Sequence, residues 1–198
     1  MARVHSDAEV AYLPNPRKEA ALLNARIRKR WRTGALKVGV IGERADLTYS
    51  YDYLGAGPET LTDLGSGKIG FLDVLKSASR PIVLVGAGAA ARHDGTAVLS
   101  TAARIALDAG AVKDGWNGFG ILHNAASEVG ALDIGFAPSG NGLTAAQMAT
   151  YGTLDVLISL GADDIEVAEG TFVVYIGTHG DKGAHRADVI LPGAAYTE

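Results

Sequence analysis

The residues Gly86-Ala87-Gly88-Ala89-Ala90-Ala91 follow directly on the apolar run "PIVLV" at 81–85. A Gly-x-Gly-x-x-Ala between a buried strand and a helix lets the backbone approach a pyrophosphate and aims helix N–H groups at it. Gly86, Gly88 and Ala91 are therefore the candidate cofactor-binding residues. A dinucleotide site of this kind also needs an acidic residue about 20 positions on, at the end of the next strand, to hold a ribose. Here the glycines run into Arg92-His93-Asp94-Gly95, which puts a cap residue and a glycine where the first helical turns belong. The acid at roughly the right distance, Asp108, closes a predicted helix instead of a strand. Two readings stay open: a close-packed strand-to-helix turn without a ligand, which the spacing favours, and a nicotinamide or flavin dinucleotide site of an oxidoreductase at 86–91.

The second stretch with chemical potential is "GTHGDKGAHRAD" at 177–188, whose His179, Asp181 and His185 are the residues a metal-dependent hydrolase would use. The two histidines there are six residues apart, not at the i, i+4 spacing of a helical His pair, and no His-Glu-x-x-His occurs, so no metal site is assigned. There is no Gly-x-Ser-x-Gly elbow and no Gly-x-x-x-x-Gly-Lys-Ser/Thr phosphate loop, and no catalytic residue is assigned. Cysteine is absent, which excludes thiolate nucleophiles, disulfides and cysteine-ligated iron–sulfur clusters from this chain.

The elements that must position these residues follow from the apolar pattern. The 198 residues are 47% hydrophobic, 20% charged and only 7% aromatic, with 26 glycines, a profile suited to small-residue helices packed on a parallel sheet. The runs at 36–42, 82–86, 154–161, 171–177 and 187–193 read as strands, the last three as strands buried on both faces. Helices are predicted from Asn15-Pro16 to Gly34, over 71–79, and from Asp94, as N-cap, to Gly110. Shorter helices are expected at 121–129 and 144–151. Tyr49, Tyr51 and Tyr53 alternate in what reads as an extended, aromatic-covered loop. The expected fold is α/β, a doubly wound and mostly parallel sheet with helices on both faces. The expected units are residues 1–75, carrying a basic helix, and residues 76–198.

Charge is unevenly distributed. Residues 1–32 hold eight Lys/Arg against three Asp/Glu, whereas the remainder holds ten against nineteen, for a net charge of −4. Leu23, Ile27 and Trp31 form the apolar face of the first helix, while Arg26, Arg28, Lys29, Arg30 and Arg32 take its other sides. That helix is read as a solvated amphipathic helix, with docking on an acidic partner as the alternative. An acidic chain with one basic segment is not the pattern of a nucleic-acid binder. No apolar run approaches the ~20 residues needed to span a bilayer, and the N-terminus lacks a signal-peptide pattern.

Six separated blocks, in order, resemble the G-type, large iron–sulfur subunit of respiratory NADH:quinone oxidoreductase, complex I. They are "NPRKEAALLNARIRKRWRTGALKVGVIG", "DLTYSYDYLG", "PIVLVGAGAAARHDG", "WNGFGILHNAASEVGALDIGF", "LDVLISLGADD" and "GTHGDKGAHRADVILPGAAYTE". The final block is also characteristic of the wider molybdopterin oxidoreductases. The resemblance implies the part of that subunit that is built like a molybdopterin enzyme, truncated at its C-terminal end, with a Rossmann-like second unit. It further implies that the cluster-bearing region lies upstream and that this chain holds no cofactor. Gly86, Gly88 and Ala91 are then relics of a pterin dinucleotide cradle. The implied role is a structural, non-catalytic lobe, with other subunits of the peripheral arm as partners. It would sit on the cytoplasmic side of a bacterial inner membrane, or on the matrix side in mitochondria, without inserting into the membrane. Residues 1–14 depart from the lead-in expected in that family, a strand ending in a glycine-bearing turn.

Overall fold

The computed structural model describes residues 8–12, 15–34, 36–125, 127–150 and 154–195, with 8–12 described by their backbone only. The chain divides into two compact units, Met1–Val129 and Gly130–Glu198. The expected boundary at 75/76 falls inside the first of these, within the helix Phe71–Ser77.

The first unit is built on a five-stranded sheet in the order β3-β2-β1-β4-β7. Its strands are β1 (Ala8–Tyr12), β2 (Val38–Ile41), β3 (Asp52–Gly55), β4 (Arg80–Val85) and β7 (Phe119–Ile121), and every pairing is parallel. β1, which the apolar pattern does not predict, lies in the middle of the sheet, with Val10 opposite both Val38 and Ile82. The family-like lead-in strand is thus present, although it runs into Leu13-Pro14 and not into a glycine. β3 takes up Tyr53, which leaves only Tyr49 and Tyr51 in the preceding loop. Those two do not form an exposed platform: the Tyr49 hydroxyl donates to Asn24 Oδ1 at 2.8 Å, and that of Tyr51 to the Ala45 carbonyl at 2.9 Å.

The first helix is broken in two, α1 (Pro16–Glu19) and α2 (Ala21–Trp31), because Ala20 leaves helical geometry at φ −148°. Gly34, at φ +86°, ends this segment in the left-handed region where glycine carries no Cβ penalty. α3 (Pro58–Gly65), α4 (Phe71–Ser77), α5 (Ala87–Ala90) and α6 (Gly95–Asp108) follow, and a small antiparallel hairpin, β5 (Val112–Lys113) with β6 (Trp116–Asn117), precedes β7.

Successive residues of a strand face opposite sides of the sheet, and β4 shows what covers each side. Val83 and Val85 enter a core with Leu61, Leu64, Leu75 and Ile105 from α3, α4 and α6. Ile82 and Leu84 pack on a second core built from Ile27, Val38, Val40 and Leu47. Ala102 and Ala106 on α6 are fully buried, as close helix-to-sheet packing requires.

The second unit carries a three-stranded parallel sheet in the order β10-β9-β8. Its strands are β8 (Val156–Leu160), β9 (Phe172–Gly177) and β10 (Val189–Pro192), and α9 (Lys182–His185) precedes β10. α7 (Glu128–Asp133) spans the boundary between the units, and α8 (Ala145–Met148) starts in a capping box between Thr144 and Gln147. The strands are where the apolar runs predict, but they are not buried on both faces. Leu157 and Val173 are buried, whereas Val156, Ile158 and Leu160 are 54%, 65% and 74% exposed. The register aligns these three with Phe172, Val174 and Ile176, and Val174 and Ile176 with Val189 and Leu191. One face of the sheet is therefore apolar and open. The reason lies in the connections: residues 161–171 between β8 and β9 form no helix, and α9 is a single turn.

Candidate functional site

In the first unit the strand order runs one way from β1 through β2 to β3 and the other way through β4 to β7. The carboxyl ends of β1 and β4 therefore flank a topological switch point, where open parallel sheets bind ligands. Gly86 leaves β4 there as the N-cap of α5, and Asn15 is the N-cap of α1. Between them lies Glu19. Its Oε1 accepts the Asn15 backbone N–H at 3.1 Å and its Oε2 accepts the Ala87 N–H at 3.2 Å. One carboxylate thus takes up unsatisfied backbone donors from the starts of two helices, the groups an anionic ligand would otherwise meet. The predicted Asn15 side-chain cap is not made: Asn15 Oδ1 is buried without a hydrogen-bond partner.

The sequence-predicted residues take distinct places around this point. The Gly86 carbonyl accepts from the Ala89 and Ala90 N–H groups, and Ala91 is the C-cap of α5. Gly88 does not behave as the close-packing reading requires, because a Cβ built on it meets nothing within 4 Å. The glycine that allows close approach is Gly95, where a Cβ would collide with the Ala90 carbonyl oxygen. Gly88 instead borders a cavity of about 210 Å³ lined by Ile41, Gly57, Pro58, Ala89 and Arg92. Gly57, the N-cap of α3, lets the Glu59 carboxylate lie against its backbone, where a Cβ would collide with it, although no side chain caps that helix. Asp94 heads α6 without capping it, because its carboxylate is paired with Arg92 at 2.6 and 2.9 Å. That pair holds Asp94 below the usual carboxylate range and Arg92 above its ordinary value, the Arg92–Asp94 hydrogen bonding being the largest cause of both.

In the second unit, the 177–188 loop is organised by a residue that no motif marks. Asp163 Oδ1 accepts the Tyr175 hydroxyl at 2.9 Å and the Gly183 N–H at 3.2 Å, while Arg186 Nη2 donates to the Asp163 carbonyl at 2.7 Å. The Asp163 hydrogen bond, then burial, then the Asp163 and Asp181 charges push the Tyr175 phenol above its ordinary range. Gly183 sits so close to the Tyr175 ring that a Cβ would lie 2.5 Å from Cε2. His179 Nδ1 is 2.7 Å from Thr178 Oγ1, and among the described residues no group of three or more His, Asp or Glu side chains is placed to hold a metal. His179, Asp181 and His185 are therefore not brought together as a metal-dependent hydrolase would need. Neither Glu19 nor Asp163 is legible in the motifs. Glu19 meets Ala87 across 68 residues of sequence, while the acidic pair that closes "LGADD" is the only available signal for Asp163.

A parallel sheet with its crevice at the reversal of strand order defines an open α/β protein of the class that binds ligands beyond its strand ends. Comparison with known proteins narrows this. The family model for molybdopterin oxidoreductase matches residues 5–198, and the chain belongs to that family. It is 38% identical over 196 residues to the mitochondrial NADH dehydrogenase [ubiquinone] iron-sulfur protein 1 of Solanum tuberosum, covering 98% of this chain and 26% of that protein. It is 44% identical over 186 residues to the G-type NADH-quinone oxidoreductase subunit of Rickettsia bellii, covering 93% of this chain and 26% of that protein. It is 40% identical over 190 residues to the mitochondrial NADH-ubiquinone oxidoreductase 78 kDa subunit of Neurospora crassa, covering 93% of this chain and 24% of that protein. The chain thus spans about a quarter of the length of the curated relatives it matches.

Proposed function

We propose that this chain is a structural, non-catalytic lobe of a G-type, large iron–sulfur subunit, supporting electron transfer from NADH to quinone by the whole complex. The observation that carries the reading is the Glu19 carboxylate, bound to the Asn15 and Ala87 N–H groups where a dinucleotide phosphate would have to lie. A phosphate brought to that point would meet a carboxylate in place of free donors, so the residues present do not fit a pterin dinucleotide. The neighbouring cavity, at about 210 Å³, is also below the ~300–1,000 Å³ of ordinary ligand pockets. With no cysteine in the sequence, cysteine-ligated clusters belong to other parts of such a protein. The partners are the other subunits of the peripheral arm, on the cytoplasmic or matrix side of the membrane. Among the described residues no helix is long and apolar enough to cross a membrane. The doubly wound arrangement belongs to the first unit, where the two cores on either side of β4 support it.

The alternative, a dinucleotide-dependent oxidoreductase at 86–91, draws on the open space over Gly88. Calorimetric titration with NADH and with a pterin dinucleotide separates the two. The lobe reading expects no binding up to millimolar ligand. Micromolar binding that is lost in Gly88→Asp overturns it.

A further inference from the structure

α2 presents its core face inward through Leu23 and the fully buried Ile27. On a different side, Ala21, Ala25, Arg28 and Arg32 follow one another at spacings of four, three and four, which aligns them as a single stripe along the helix. This stripe and Thr48 bound a groove of about 580 Å³, with Lys29 on its rim. The groove has a floor of small side chains and a buried Asn24. That amide is already committed: Nδ2 donates to the Leu47 carbonyl at 3.3 Å and Oδ1 accepts the Tyr49 hydroxyl at 2.8 Å. The floor supplies width and no free amide; recognition falls to the cations.

Arg28, Lys29 and Arg32 are all exposed, and among the described residues none of the three has an ion-pair partner. Asp46, the acid whose charge Arg28 feels, is bonded to Arg17 at 2.7 Å and to the N–H of Thr48 on the groove wall at 2.8 Å, and makes no ion pair with Arg28. Three unpaired cations over an alanine floor form a field that a row of carboxylates would complement, and the small floor residues leave room for a peptide backbone. A single-stranded nucleic acid would need exposed rings to stack on. The aromatic residues at hand, Trp31 and Tyr49, instead pack on each other with centroids 6.3 Å apart beside the Ile27 core. A membrane surface would need an apolar helix face free to insert, and here that face is in the core.

We infer that the groove along Ala21, Ala25, Arg28 and Arg32 is a docking site for an acidic polypeptide segment of a neighbouring subunit. This rests on the reading of the chain as a lobe of a multisubunit complex and names the chemistry of one contact. The probe is a fluorescently labelled octaglutamate peptide, titrated into the full chain at low and at physiological salt. Wild type binds it, the affinity falls as salt rises, and Arg28→Glu/Arg32→Glu weakens it at least tenfold. Arg104→Glu, the same charge change on an exposed position of α6, leaves it unchanged, and circular dichroism verifies that each variant is folded. Equal binding by wild type and the double variant overturns the inference. So does tighter binding of an oligothymidylate or of phosphatidylserine vesicles with the same sensitivity to Arg28 and Arg32. Co-purification of the wild-type chain with the other subunits tests the lobe reading separately. Retained co-purification of Arg28→Glu/Arg32→Glu overturns the groove contact alone, and its loss supports it.

Discussion

Glu19 Oε2 and the Ala87 backbone N–H lie 3.2 Å apart, joining the first helix of the chain to the turn after β4. This hydrogen bond and its twin to Asn15 decide how the glycine-rich turn is read. The Asn15 and Ala87 donors are met from within the protein, and the two helix starts are tied together.

Removing the carboxylate should loosen that junction. Glu19→Ala leaves two part-buried N–H groups without their acceptor, and hydrogen bonds to a charged group are each worth about 1.5–3 kcal/mol. Urea unfolding is expected to show a loss of about 2–4 kcal/mol if the two bonds are partly replaced by water. Glu19→Gln, which keeps one acceptor oxygen, should lose less.

The glycines of the turn should respond in opposite directions. Gly88→Ala places its methyl in open space inside α5 and should be neutral or stabilising by up to ~1 kcal/mol. Gly95→Ala drives a methyl into the Ala90 carbonyl and should cost about 1–3 kcal/mol. Thermal melts of the two single variants, compared with wild type, check the contrast.

The Tyr175–Asp163 bond carries a pH signature. The phenol is neutral when bonded to the carboxylate, and its folded-state pKa is raised above the unfolded value near 10. Its stabilisation is therefore complete below about pH 10 and fades as pH rises through the folded pKa. Unfolding free energies measured from pH 8 upward should fall in the alkaline range, and Tyr175→Phe should flatten that fall.

Gly183→Ala probes the same cluster sterically. The added methyl would stand 2.5 Å from Tyr175 Cε2 and 2.8 Å from Asp163 Oδ1, so a destabilisation of about 1–3 kcal/mol is expected. Hydrogen exchange at the β9 amides would report it as faster opening.

The open face of the second sheet should behave as an adhesive surface in the isolated chain. Ile158, 65% exposed, sits midway along the edge strand β8, opposite Val174 on the central strand β9. Ile158→Lys should lower binding of an apolar dye and reduce concentration-dependent sedimentation, with a stability change within about 0.5 kcal/mol.

Much of the architecture was written locally. Continuous apolar runs identified β2, β4, β8, β9 and β10, since apolar and β-branched residues suit a pleated strand whether or not both of its faces are covered. The 3.6-residue rhythm and Gly34 and Gly110 marked the ends of α2 and α6. β1 escaped because "AEVAY" is short, charged at Glu9 and preceded by polar residues; it is a strand because β2 and β4 offer it backbone partners on both sides. Asp94 reads as a cap from its neighbours, but Arg92 claims its carboxylate first.

The sequence by itself determined the α/β class, the basic first helix, the absence of thiolate chemistry and, through six ordered blocks, the family resemblance. These depend on composition and on contacts within a few residues, which a linear pattern records. Which group meets the Ala87 donor of the glycine turn was decided only by the tertiary structure. The carboxylate that meets it comes from Glu19, 68 residues away, and only the parallel pairing of β1 with β4 brings the two together. The open face of the second sheet was settled in the same way, because burial belongs to what packs on a strand and not to the strand's own residues.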